Sequence, residues 1–272
     1  AAEGRARRLL AKATGEAYKR PGKMWSFREG LRLLVETLAQ NLHQPPSLGV
    51  SVRRIERVGN SSCWTVRGEG NDKWEADAVV LTCPAHQQAG LVADVDALLA
   101  DEIAAISYNR VAVVGLGYRR EYVPLSLEGF GFIVPQNTRR DLLGVQWCSS
   151  IFPGRAPPGA VLLRAMCGGW QRAEMVGWND DRLLAAIRAE LRRSMGITAL
   201  PVFQKIIRWD RAIPQYAVGH LQRVTRVDKH LARHPGLFVG GNAYRGVALN
   251  DCTEQGEVLA KRVVEYLGSL SS

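Results

Sequence analysis

The run Leu237-Phe238-Val239-Gly240-Gly241 constrains the fold more than any other part of the chain. A short apolar, β-rich segment ending in paired glycines reads as a buried strand. Residues 242–252 then form a glycine-containing turn. Residues 253–267 follow as a helix, with Val258, Leu259, Val263 and Tyr266 near one face. Such a turn exposes backbone N–H groups, and the helix N-terminus carries partial positive charge. Glycine lets a bulky planar ligand approach the backbone closely. The spacing alone leaves two readings open. One is a seat for an anion, or for an electron-rich ring that becomes anionic. The other is an ordinary β–α turn with glycine for conformational reasons.

The rest of the chain reads as α+β. Residues 1–22 are basic and weakly amphipathic, which suggests a helix whose packing partner lies elsewhere. Ser26-Phe27-Arg28-Glu29 has the form of a capping box. Leu31, Leu34, Val35, Leu38 and Leu42 follow at helical spacing, and Pro45-Pro46 ends that helix. Three strands are expected next, carried by Val50, Val52 and Ile55, by Trp64 and Val66, and by residues 74–81. The third ends in an apolar run typical of a strand buried on both faces, closed by Pro84. A helix is expected over 88–99. From Val111 onward the texture is that of a sheet with long loops, with strands over 111–118, 130–135, 143–149, 161–167 and 202–209. Asp180-Asp181 reads as the cap of a helix on which Leu183, Ile187 and Leu191 share a face.

Composition narrows the function classes. The chain has 272 residues, room for one or two domains. No run of 18 apolar residues is present to form a membrane-spanning helix. The chain starts Ala1-Ala2-Glu3-Gly4 without Met, and no apolar signal core follows, which suggests an internal cut. The formal charge of +10 fits a solvated basic surface or an anionic partner: a carboxylated ligand, a dinucleotide or a membrane face. Nucleic acid is disfavoured, because no dense Lys/Arg run is interleaved with aromatics. The five cysteines are scattered and contain no C-x-x-C pair, so neither zinc nor a disulfide framework is expected, and a reducing compartment fits. The histidines do not pair at metal-ligand spacing. There is no G-x-S-x-G, H-E-x-x-H or Walker A. Gly115-Leu116-Gly117 lacks a third glycine and leads into a strand, which argues against a Rossmann turn. Asp251 and Glu254 read as capping residues of the last helix.

Two motifs carry a resemblance. Residues 209–220 contain Ile213-Pro214-Gln215-Tyr216-Ala217-Val218-Gly219-His220, similar to I-P-Q-Y-x-x-G-H. Residues 241–252 read Gly241-Asn242-Ala243-Tyr244-Arg245-Gly246-Val247-Ala248-Leu249-Asn250-Asp251-Cys252. With Ser26–Leu31, Gly129–Pro135, Ser149–Pro153 and Gly168-Gly169 in the same order, the chain resembles the protoporphyrinogen oxidases of the flavin amine-oxidase superfamily from about residue 20 onward.

The resemblance implies an FAD/NAD(P)-binding flavin amine-oxidase-like fold with a sheet-based substrate domain. It is incomplete, because no strand–G-x-G-x-x-G–helix segment is present to hold the FAD pyrophosphate. Residues 1–22 become the tail of the missing part of the substrate domain. Residues 23–88 and 216–272 become the middle and C-terminal pieces of the FAD domain, and residues 89–215 the substrate domain. The implied chemistry is the six-electron oxidation of protoporphyrinogen, with FAD passing electrons to molecular oxygen to give hydrogen peroxide. Coproporphyrinogen is the alternative substrate, and a porphyrin-binding chain without turnover the third reading. Val52 would meet the adenine, and Gly241, Gly246, Val247, Ala248 and Leu249 the flavin end of FAD. A reduced flavin suits exposed amides, since its negative charge gathers near N1 and the C2 carbonyl. Trp209 would lie near the cofactor or close the sheet. Ile133, Gln146 and Met166 would line the porphyrinogen cavity, with Gln146 departing from the apolar residue expected there. His220 reads as a structural hydrogen-bonding residue, and Tyr244 and Asn250 as supports of the turn. No catalytic side chain or metal ligand is nominated. The resemblance further implies a cytoplasmic protein in peripheral contact with the inner membrane, and it leaves oligomerisation open.

Overall fold

The computed structural model describes residues 25–59 and 63–270, so the helix expected in 1–22 lies outside the described residues. The chain divides into two compact units, Ala1–Pro46 and Ser47–Ser272. The first holds α1 (Arg32–Gln40). The capping box expected at Ser26–Glu29 is not its start: the N-cap is Leu31, no side chain caps it, and a turn closed by Gly30 N–H on the Phe27 carbonyl intervenes. The helix also ends before Pro45-Pro46, because the Asn41 carboxamide folds back onto the Thr37 carbonyl at 2.8 Å.

The second unit begins with an antiparallel meander of β1 (Arg54–Arg57), β2 (Trp64–Arg67) and β3 (Lys73–Ala76). The single strand expected over 74–81 is in fact two. After Ala76 the chain changes partner, and β4 (Val79–Leu81) pairs in parallel with a strand near the C-terminus. Helices α2 (Ala85–Val92) and α3 (Ala97–Ala104) replace the single helix expected over 88–99, because Asp96 breaks the run and caps α3. Next come β5 (Val111–Arg119), β6 (Gly131–Ile133), β7 (Gly144–Trp147), the one-turn α4 (Cys148–Ile151), β8 (Ala160–Gly168), α5 (Asp180–Met195) and β9 (Phe203–Trp209). The cap of α5 is Asn179, whose side chain accepts from Arg182 N–H at 2.9 Å; Asp180 and Asp181 occupy its first turn. Helix α6 (His220–Leu231) had no counterpart in the sequence reading. Then come β10 (Leu237–Val239), the parallel partner of β4, and α7 (Leu249–Leu270), which starts four residues ahead of the expected position.

Two apolar cores result among the described residues. One unites distant sequence: Ile55, Trp64, Leu81 and Ile103 pack with Val224, Val227 and Leu237. The other lies between α5 and the antiparallel sheet β6-β7-β8-β5-β9. Alternate residues of β5 (Ala112, Val114, Leu116, Tyr118) and β8 (Val161, Leu163, Ala165, Cys167) face Leu183, Ile187 and Leu191 of the helix. The period of two puts the intervening residues of each strand on the opposite face. Cys167 belongs to the packed layer, and burial pushes its thiol up to about 12.

Asp96 ties α3 to α6. Its carboxylate accepts from Leu99 N–H at 3.0 Å, from His234 Nε2 at 3.0 Å, and from His230 and Arg233 at 3.2 Å each. Burial alone would raise its pKa; the Leu99 amide and the His234 and His230 rings outweigh that and hold it well below the usual carboxylate range. The folded chain therefore keeps this group ionised where the unfolded chain, with a pKa near about 3.9, takes up a proton. Its stabilisation is complete above about pH 5 and is lost as the pH falls. We expect Asp96→Ala to cost about 2 kcal/mol at pH 7, through loss of the cap and of charge-assisted bonds, and less at pH 3. Urea melts at the two pH values check this; an equal cost at both contradicts it.

Candidate functional site

The site is built where β4 and β10 end side by side. In a parallel sheet, ligands bind in the crevice beyond the carboxyl ends of the strands. Here those ends are Thr82-Cys83 and Gly240-Gly241, joined by Gly240 N–H on the Leu81 carbonyl at 2.9 Å. A fully buried amide, Gln88 of α2, locks them together. Its Nε2 donates to the Cys83 carbonyl at 2.6 Å and the Gly240 carbonyl at 2.9 Å, and its Oε1 accepts the Tyr244 hydroxyl. Burial raises the Tyr244 phenol pKa far above its ordinary value, so this hydroxyl stays a donor.

The loop after β10 is held from outside by Tyr216 and His220. The Tyr216 hydroxyl donates to the Asn242 carbonyl at 2.8 Å and accepts from Gly246 N–H at 2.7 Å. Its ring stacks on His220, with centroids 3.9 Å apart and planes 9° apart. His220 Nε2 lies 2.9 Å from the Tyr244 carbonyl; since a carbonyl only accepts, Nε2 carries the proton. The two sequence motifs are thus two halves of one structure. Gly246 completes it: at φ 128° it favours glycine, and a Cβ there would sit 2.4 Å from Asp251 Cβ. Asp251 reaches back to accept Ala248 N–H at 3.0 Å, as a capping residue does. That leaves the amides of Val247 and Leu249 without a partner among the described residues, at the positive end of the 22-residue α7.

The nominated residues fall into three places. Gly241 (φ 105°), Gly246, Val247, Ala248 and Leu249 share the loop and helix start, although Ala248 N–H is taken by Asp251. Leu249 and Asn250 lie inside the helix rather than in the turn. Val52 lies before β1, outside any strand, and lines a cleft of about 960 Å³ along β4 with Leu81, Thr82 and Leu91. Thr82 links this cleft to the loop, since its carbonyl faces Gly241. The third place is the face of the five-stranded sheet away from α5. Register sets Ile133 of β6 opposite Gly144, Gly144 opposite Met166, Met166 opposite Val113, and Val113 opposite Ile207. Gln146 lies one row away and Trp209 at the end of β9, both on this same face. Ile133 is 87% exposed there, far outside any core. His220 is the structural hydrogen-bonding residue expected. Gln88 was missed; its signal was a lone amide in the apolar stripe Ala85, Ala89, Val92.

Residues 7–264 match the family described as flavin containing amine oxidoreductase. The chain belongs to that family. FAD is the family's cofactor, and exposed amides at a helix start beside the ends of parallel strands suit it. Among curated relatives, a coproporphyrinogen III oxidase of Bacillus subtilis (strain 168) is 28% identical over 253 residues, 92% of this chain and 53% of that protein. A protoporphyrinogen oxidase of Homo sapiens is 32% identical over 269 residues, 94% of this chain and 54% of that protein. The chain thus spans about half the length of these relatives. A crystal structure from Exiguobacterium sp. 255-15, provisionally assigned as a protoporphyrinogen oxidase, superposes with a TM-score of 0.76 at 26% identity, covering 94% of this chain and 57% of that one. A putrescine oxidase structure, TM-score 0.67 at 19% identity, shares the fold.

Within this flavin amine-oxidase chain, Tyr216→Phe removes one hydroxyl and two hydrogen bonds while keeping the ring stack. We expect about 1–2 kcal/mol of local destabilisation, read as faster amide exchange at Gly246 while α5 is unchanged. Unaltered exchange at Gly246 would show that the hydroxyl does not hold the loop.

Proposed function

We propose that this chain carries the flavin end and the ring-binding sheet of a porphyrinogen oxidase, acting in heme biosynthesis. The observation that supports it best is the sharing of one open sheet face by Ile133, Gln146, Met166 and Trp209. A broad, largely apolar face suits a flat macrocycle better than it suits a small amine. Val247 and Leu249, through their amides, hold the flavin end; Val52 meets the adenine from the β4 cleft, with Gly241 giving the backbone room. Residues 23–88 and 216–272 act as FAD-domain pieces and 89–215 as the substrate domain.

Held by the amides of Val247 and Leu249, FAD would supply the two-electron acceptor for hydrogen from the ring, with molecular oxygen as the terminal oxidant and hydrogen peroxide as its product. The chain's own part is to hold and orient. Ile133 and Met166 bury the ring face, and water is excluded from their row. The loop held by Tyr216 and His220 keeps the two donor amides fixed, so little reorganisation is needed as negative charge builds. Protoporphyrinogen, the less charged ring, suits Ile133 and Met166. Coproporphyrinogen is the second reading, favoured by cations on the same face. The basic net charge suits an anionic membrane surface on the cytoplasmic side. Among the described residues, no helix is long and apolar enough to cross a membrane.

The test is to add FAD and then, in air, protoporphyrinogen IX or coproporphyrinogen III to the purified chain. We expect flavin absorbance to co-purify with the protein, and porphyrin fluorescence and peroxide to rise above spontaneous oxidation. A protein that takes up no FAD rejects the flavin seat. FAD uptake without porphyrin formation reduces the chain to a binding role. Faster use of coproporphyrinogen reverses the order of substrates.

A further inference from the structure

The open sheet face carries two cations, Arg164 and Lys205, that no carboxylate among the described residues neutralises. Gly115 of β5 lies opposite Arg164 of β8 on one side and Lys205 of β9 on the other. All three belong to the face that holds Ile133, Met166 and Ile207. Arg164 contacts the carboxamide oxygen of Gln146, a neutral partner. Among the described residues no carboxylate pairs with either cation. The other face of β9 behaves differently: Arg208 reaches Asp180 at 2.6 Å and the Val176 and Trp178 carbonyls. Between the two cations lies Gly115, edged by the ring of Phe203. A Cβ on Gly115 would meet nothing closer than 3.8 Å, so packing within the sheet does not demand glycine there.

The spacing defines what could occupy this surface. Arg164 and Lys205 are two strands apart, about 10 Å between backbones, and their row lies about 7 Å from the apolar row of Ile133, Met166, Val113 and Ile207. An apolar flat body over one row, with acid arms reaching the next, matches that pattern. Lysine on an edge strand also discourages strand pairing, but that role involves neither Arg164 nor the shared row.

We propose that Arg164 and Lys205 form a carboxylate-binding subsite for the acid side arms of a tetrapyrrole, so that this face holds rings bearing more carboxylates more tightly and favours coproporphyrinogen, the second substrate of the reading above, over protoporphyrinogen. The proposal rests on the porphyrinogen reading above and adds its specificity element. Neither residue takes part in electron transfer; they position the ring.

The purified chain is titrated with three stable porphyrins: coproporphyrin III, protoporphyrin IX and the uncharged tetramethyl ester of coproporphyrin III. Quenching of tryptophan fluorescence reports binding. We expect Arg164→Gln/Lys205→Gln to weaken coproporphyrin III roughly tenfold, as for two exposed ion pairs at their upper range, and to leave the ester unchanged. The charge-keeping swap Arg164→Lys/Lys205→Arg retains the preference for the tetra-acid. If the Gln variant binds all three porphyrins as the unaltered chain does, the subsite is wrong while the porphyrin reading stands. If the variant loses the ester equally, the residues act on fold rather than on carboxylates, and the proposal fails. If the unaltered chain binds none of the three, the porphyrin reading falls, and the subsite with it.

Discussion

The site end of the second unit depends on the side chain of Gln88. Three polar groups meet this buried amide: two carbonyls at the ends of β4 and β10 and one tyrosine hydroxyl. A buried polar group left unpaired costs about 1–3 kcal/mol, so removing this amide would take the partner from the buried Tyr244 hydroxyl as well as from two half-buried carbonyls. The parallel pair is only three residues long on each side. A ladder so short gains little by itself; the amide across its ends fixes where the following loop starts. Everything beyond, from Gly241 to the first turn of α7, inherits its position from that junction.

Much of this was legible in the sequence, and the misses have physical causes. Strands β5, β8 and β10 were found because alternation or apolar runs report burial directly. The run at 74–81 looked continuous because sequence shows that residues are apolar, not which strand they pair with. Helix α6 was overlooked because Arg223, Arg226, Asp228 and Lys229 dilute the stripe His220, Val224, Val227 and Leu231. The Ser26–Glu29 pattern has capping chemistry, but the turn at Gly30 moves the helix start beyond its reach.

The loop after β10 teaches a related lesson. Its glycines and its position between strand and helix were readable, and so was a preference for negative charge. That Tyr216 and His220 brace it could not be read, because the braces lie 24 to 30 residues away and act through a hydroxyl, a ring nitrogen and a ring stack. Sequence proximity found the cap at Asp251 and misplaced those of α1 and α5. It says little about partners that tertiary folding brings together.

The stack between Tyr216 and His220 has a mechanical consequence. Residues 242–246 cannot swing outward as a free flap, because their carbonyl and amide are fastened to a ring that leans on the first residue of α6. Any ligand pressing on the loop therefore pushes against a twelve-residue helix and the apolar layer beneath it. The loop thus serves as a fixed wall rather than a door.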